Sequence, residues 1–118
     1  NSVGIRIITI EEFFKRDLSD IFSEVKSILG TTKTYLTYDI DFVDPAYAPG
    51  TGTPEVGGPN SFQSIEVIRA LDNINLIGAD LVEVSPPFDN SGSTAWLGVS
   101  IIFEILCLLA KNIKLKHK

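Results

Sequence analysis

The chain has 118 residues, 44% of them hydrophobic and 21% charged, which is the composition of one modest globular domain and not of a disordered segment. Ten basic against fifteen acidic residues leave a net charge of −5 at pH 7, so nucleic acid or an anionic membrane has little electrostatic reason to bind. A single cysteine, Cys107, excludes an internal disulfide, fits a reducing, cytoplasmic setting and is expected to be a buried, inert thiol.

Residues 3 to 10 are β-branched and almost continuously apolar, which predicts a short buried strand. Thr9 ahead of Glu11 and Glu12 predicts a helix start, and Phe13, Phe14, Leu18, Ile21, Phe22, Val25, Ile28 and Leu29 carry one amphipathic helix to Gly30. Residues 33 to 40 read as a second strand running into Asp39 and Asp41. Residues 44 to 60 have no apolar period: Pro45, Pro49 and Pro54 fix φ while Gly50, Gly52, Gly57 and Gly58 permit unusual backbone, so the loop is expected to be shaped and functional. Asn60 with Gln63 makes a capping box for a helix reaching Leu71, and residues 74 to 84 form a third strand. Ser93 or Thr94 opens a last helix to about Asn112. Its apolar run is broken only by Glu104, expected to be paired or at a subunit boundary. The run is shorter than the roughly 20 apolar residues of a membrane span, so a buried helix is predicted, with Trp96, Phe103 and Leu106 in a core or subunit contact. Lys111, Lys114, Lys116 and Lys118 suit a helix C-terminus, and His117 reads as a solvated tail residue.

Alternation of strands and helices implies right-handed crossovers and a parallel sheet, an α/β fold whose ligands bind beyond the carboxyl ends of the strands. Asp39 and Asp41 end one predicted strand and Glu83 ends the next, so three carboxylates collect on one rim. Side chains two apart on extended chain point the same way, which would bring Asp39 and Asp41 together. No Lys, Arg or His lies in that stretch to neutralise them, and a metal ion is the remaining remedy. An Asp-x-Asp pair alone is a weak signal. It also occurs in metal-dependent glycosyltransferases and phosphatases, and at merely solvated strand ends.

The stretch Tyr38-Asp39-Ile40-Asp41 to Asp44-Pro45, with Pro49-Gly50-Thr51-Gly52-Thr53-Pro54 and Gly57-Gly58, resembles a signature of the ureohydrolases, the arginase and agmatinase family. Gly78-Ala79-Asp80-Leu81-Val82-Glu83-Val84-Ser85-Pro86 is similar to that family's Val-Glu-Val-x-Pro strand, and with Pro87, Phe88 and Asp89 it lies closer to agmatinases than to arginases. The resemblance implies a three-layer α/β/α fold with a parallel sheet. It implies two manganese ions, a hydroxide held between them that attacks a guanidinium carbon, and homo-oligomers, commonly trimers or hexamers. By position, Asp39 matches the aspartate shared by both ions and Asp41 one that chelates a single ion. Glu83 matches the carboxylate that binds the substrate guanidinium, Thr53 a loop threonine near it, and Asp44 a position of loop architecture.

The family's Gly-Gly-Asp-His and Asp-Ala-His-x-Asp signatures have no counterpart here, so the resemblance implies residues 1 to 118 as the C-terminal portion of one ureohydrolase domain, with a half-site and no catalytic group of its own. Agmatine is the expected small-molecule substrate; arginine and 4-guanidinobutyrate share the same motifs. A catalytically inert subunit kept for oligomer contacts is the alternative.

Overall fold

The structure, a computed structural model, describes residues 4–116. The Thr9 hydroxyl accepts the Glu12 N–H at 3.2 Å and opens helix α1, Ile10–Lys15. Extended backbone at Arg16 and Asp17 then interrupts the predicted single helix, and α2, Leu18–Leu29, begins as the Asp17 carbonyl accepts the N–H groups of Asp20 and Ile21. Two helices therefore stand where the apolar spacing predicts one. Asp17 takes the start position of α2 with extended backbone and no side-chain capping bond, and apolar spacing alone cannot register such a break. Arg16 braces the break by donating to Glu12 and Glu24, each at 2.6 Å. Gly30 ends α2 at φ +54°.

The strand expected over residues 3 to 10 does not form among the described residues: 4–9 are irregular and Ile10 is already helical. An apolar run becomes a strand only beside another strand. Here Arg6 instead ties the segment to Glu12 and Glu24 of the helices, and Ile5 and Ile7 stay exposed. Val3 lies outside the described residues, as do His117 and Lys118.

Strands β1, Thr34–Asp39, and β2, Leu76–Val82, pair in parallel, with Tyr38 opposite Leu81 and Asp39 opposite Val82. The crossover between them is the long loop and helix α3, Ser61–Ala70, whose capping box is present in full: Asn60 Oδ1 accepts from the Gln63 N–H at 2.8 Å, and Gln63 Oε1 accepts from the Asn60 N–H at 2.9 Å. The α/β class with a parallel sheet is borne out. Tyr38, Ile40, Val43, Ile68, Leu71, Ile74 and Leu76 form much of the core, which α2, α3 and the last helix cover.

Helix α4 spans Ser93–Lys116 and packs on β2 and α3 through Leu97, Ile101 and Ile105. That spacing of four settles which face is buried. Cys107 lies about 200° around the helix from Ile105 at 100° per residue, and it is exposed, contrary to the buried thiol expected. Trp96, Phe103 and Leu106 are likewise exposed at 73%, 63% and 57%, so within this chain they are not core. Glu104 is paired as expected, with Arg69 Nη2 at 2.6 Å, and Lys111 Nζ reaches Asp72 at 2.7 Å. Contrary to the expectation of a run too short for a span, residues Ser93–Ile113 are long and apolar enough, by length and composition, to cross a membrane, and most of that stretch is not buried.

Candidate functional site

β1 stops at Asp39 because Ile40–Phe42 turns into a short 3-10 helix, and the Asp39 carboxylate caps it by accepting the Asp41 N–H at 2.9 Å. The strand alternation expected to bring Asp39 and Asp41 together thus ends at Asp39, and the contact between the two is a side chain to backbone hydrogen bond. What survives is their location: both sit at the carboxyl end of β1, with Asp39 exposed and Asp41 half-buried.

Asp41 is held at both oxygens. Thr51 Oγ1 donates to Oδ1 and Thr53 Oγ1 donates to Oδ2. Thr53, expected near Glu83, has its hydroxyl on the metal-candidate carboxylate of Asp41. Thr51 was not singled out by sequence reasoning, although a second threonine two residues ahead of Thr53 was a visible signal.

The loop bearing these threonines is closed by Asp44, in the architectural role expected of it. Its Oδ1 accepts from the Ala46 N–H and its Oδ2 from the Gly57 N–H, both at 2.8 Å, and these two donors hold its carboxyl below the usual aspartate range. Its own N–H donates to the Pro59 carbonyl at 3.0 Å. Gly50 anchors the far side. Its N–H donates to Thr94 Oγ1 at 2.8 Å, and its carbonyl accepts the Ser85 N–H at 2.8 Å. A Cβ there would lie 2.4 Å from the Asp89 Cβ and 2.9 Å from the Thr94 Cβ, so only glycine fits. Asp89 in turn accepts the N–H groups of Thr94 and Ala95 at the start of α4, at 3.0 and 2.9 Å.

Glu83 follows the last residue of β2, and since Val82 lies opposite Asp39 the backbone places it at the same end of the sheet as the two aspartates. It sits at φ +65°, a left-handed conformation rarely taken by a non-glycine residue, and its side chain is exposed with no hydrogen bond or ion pair among the described residues. A strained residue with a free carboxylate is a frequent mark of a functional position.

Chemically, the rim offers oxygen donors of hard character and no counter-charge. None of the ion pairs among the described residues reaches Asp39, Asp41 or Glu83. Two carboxylates, one held by hydroxyl donors, fit part of the shell of a divalent cation of the magnesium and manganese type. Among the described residues, no group of three or more His, Cys, Asp or Glu converges to complete that shell. The free carboxylate of Glu83 suits a planar, multiply donating cation.

The chain matches the Arginase family over residues 1–108. It is 49% identical to the guanidinopropionase of Pseudomonas aeruginosa over 92% of this chain and 34% of that protein. With the mitochondrial agmatinase of Gallus gallus the identity is 46%, over 90% of this chain and 31% of that protein. The crystal structure of a hypothetical agmatinase from Burkholderia thailandensis superposes with a TM-score of 0.89 at 38% identity, over 97% of this chain and 36% of that one. The chain thus spans about a third of the length of the curated relatives it matches. It belongs to the arginase family.

Proposed function

We propose that this chain carries the carboxylate rim of an amidinohydrolase, an enzyme that adds water to a guanidinium carbon and releases urea and an amine. The observation that supports this best is the arrangement at the end of the sheet. Asp41 is oriented by two hydroxyls, Asp39 sits beside it, and Glu83 extends from the paired strand with its carboxylate unengaged. In this reading Asp39 and Asp41 are metal ligands, for manganese by resemblance. Manganese, when bound, supplies the Lewis acidity that makes hydroxide available near neutral pH. Glu83 accepts two guanidinium N–H groups at once and turns the carbon toward the aspartates. Imidazole ligands come from outside the described residues, and the complete enzyme is a homo-oligomer.

Agmatine is the substrate proposed, because the rim carries carboxylates and no cation, which suits a substrate whose other end is an amine. A guanidino acid is the second reading, favoured by the 49% identity to guanidinopropionase. It would need a cation from another part of the protein for its carboxylate.

Grafting residues 1–108 in place of the matching third of the Pseudomonas guanidinopropionase tests the reaction class. With manganese, the graft is expected to release urea, and Asp39→Ala or Asp41→Ala to abolish release while the fold persists. A folded, manganese-loaded graft that releases none sinks the proposal. The 118-residue chain alone, with manganese and agmatine, is expected to release no urea, and release would refute the half-site. Substrate choice is read on the gene product as the cell makes it, where preference for arginine over agmatine would overturn the agmatine reading.

A further inference from the structure

We propose that Thr51 is a positioning residue that fixes Asp41 for a divalent cation; this rests on the metal reading above. Three observations carry it. Thr51 is 3% exposed, so its hydroxyl cannot exchange Asp41 for water, and that hydroxyl donates to Asp41 Oδ1. The same oxygen accepts the Thr53 N–H at 3.5 Å, which directs its own proton away from the loop and toward the carboxylate. The backbone at Thr51 is pinned, its N–H donating to the Pro49 carbonyl at 2.9 Å and its neighbour Gly50 bonded to Thr94 and Ser85. Thr94 is itself fully buried. A rigid chain of contacts thus runs from the first turn of α4 to one oxygen of Asp41, and Thr53, exposed, reaches the other. With one lone pair of each oxygen taken, those left over are held in one direction. A ligand carboxylate held this way needs no reorganisation on binding, and losing such an outer partner typically costs 10- to 100-fold in metal affinity.

The test uses the gene product as the cell makes it, labelled for NMR, with MnCl2 as the probe. Side-chain couplings of Asp41 report its rotamer without metal. Selective line broadening at Asp39, Asp41 and their neighbours reports manganese. In the wild type Asp41 is expected to occupy one rotamer, with broadening centred on these residues. Thr51→Val, isosteric but without the hydroxyl, should average the Asp41 couplings and raise the manganese concentration needed for equal broadening about tenfold. Thr51→Ser should restore both, and Thr53→Val should have the smaller effect. Should Thr51→Val disturb folding, the serine variant and the couplings of Asp41 in Thr53→Val still decide between an orienting hydroxyl and mere packing. Unchanged couplings and unchanged broadening in a folded Thr51→Val overturn the proposal and leave the metal reading intact. Rotamer loss without selective broadening in any variant, the wild type included, overturns the metal reading, and the role of Thr51 toward a cation falls with it.

Discussion

Glu83 gives the sharpest test of how this rim is built, because its backbone and its side chain pull in opposite directions. At φ +65° a non-glycine residue carries a cost of about 1–2 kcal/mol. The side chain returns nothing to folding, being exposed and free of hydrogen bonds and ion pairs among the described residues. Glu83→Gly removes the cost, while a more flexible unfolded chain takes back about 0.4–1 kcal/mol. Glu83→Ala removes the carboxylate but keeps the strained backbone. The glycine variant should therefore be more stable than the alanine variant by about 1 kcal/mol, a shift of roughly 4 °C in Tm for a domain of this size. Thermal and urea denaturation of the two variants and the wild type measure it. Both variants should lose guanidino-substrate turnover in the complete enzyme, so the more stable protein is the inactive one. A glycine variant no more stable than the alanine variant would refute the claim that strain is stored at this position.

Gly50→Ala should destabilise by about 1–3 kcal/mol, since its Cβ would collide with Asp89 and Thr94. Gly52→Ala, whose Cβ meets nothing within 4 Å, is the control, and a urea midpoint for each decides it. Acid should weaken the fold through carboxyls held low by their partners: Glu12 and Glu24 by Arg6 and Arg16, Asp72 by Lys111, and Glu104 by Arg69. A pKa lower folded than unfolded means stability present above pH 4.5 for the glutamates and above pH 3.8 for Asp72, and lost as pH falls below those values, less steeply in about 0.5 M salt because the pairs are exposed. Alkali acts on Tyr38, whose phenol burial pushes up to about 12, so stability present below pH 10 should fall as pH rises through 12. Tyr38→Phe should flatten that limb.

Features written in short-range chemistry were legible in the sequence. Gly30, the Asn60 and Gln63 capping box and the parallel pairing follow from rules about φ, orphan N–H groups and crossover connections, while the architectural place of Asp44 came from the family resemblance. What was not legible depends on contacts between distant segments. Residues 4–9 have strand composition but no strand beside them, and Arg6 draws them onto the helices instead. Cys107 sits in an apolar run, yet only the choice of Leu97, Ile101 and Ile105 as the packed face of α4 decides that it is exposed. The left-handed backbone of Glu83 leaves no trace in composition at all, since glutamate is not a residue that marks such a position.

The two-residue spacing that drew notice to Asp39 and Asp41 recurs in a second pair. The aspartates are divided by the onset of a 3-10 turn, and one caps the other's backbone. Thr51 and Thr53, also two apart, converge on opposite oxygens of a single carboxylate. Each residue of Pro49-Gly50-Thr51-Gly52-Thr53 then has a physical reason. Pro49 offers the carbonyl that turns the chain, Gly50 fits where no Cβ can, and Gly52 spaces the two donors in open surroundings. The same Gly50 whose N–H meets α4 accepts from Ser85, two residues beyond Glu83, so one small junction links the threonine loop, the start of α4 and the segment that follows Glu83. A loop with no core of its own can be this well defined because its fixed points are backbone groups with single partners.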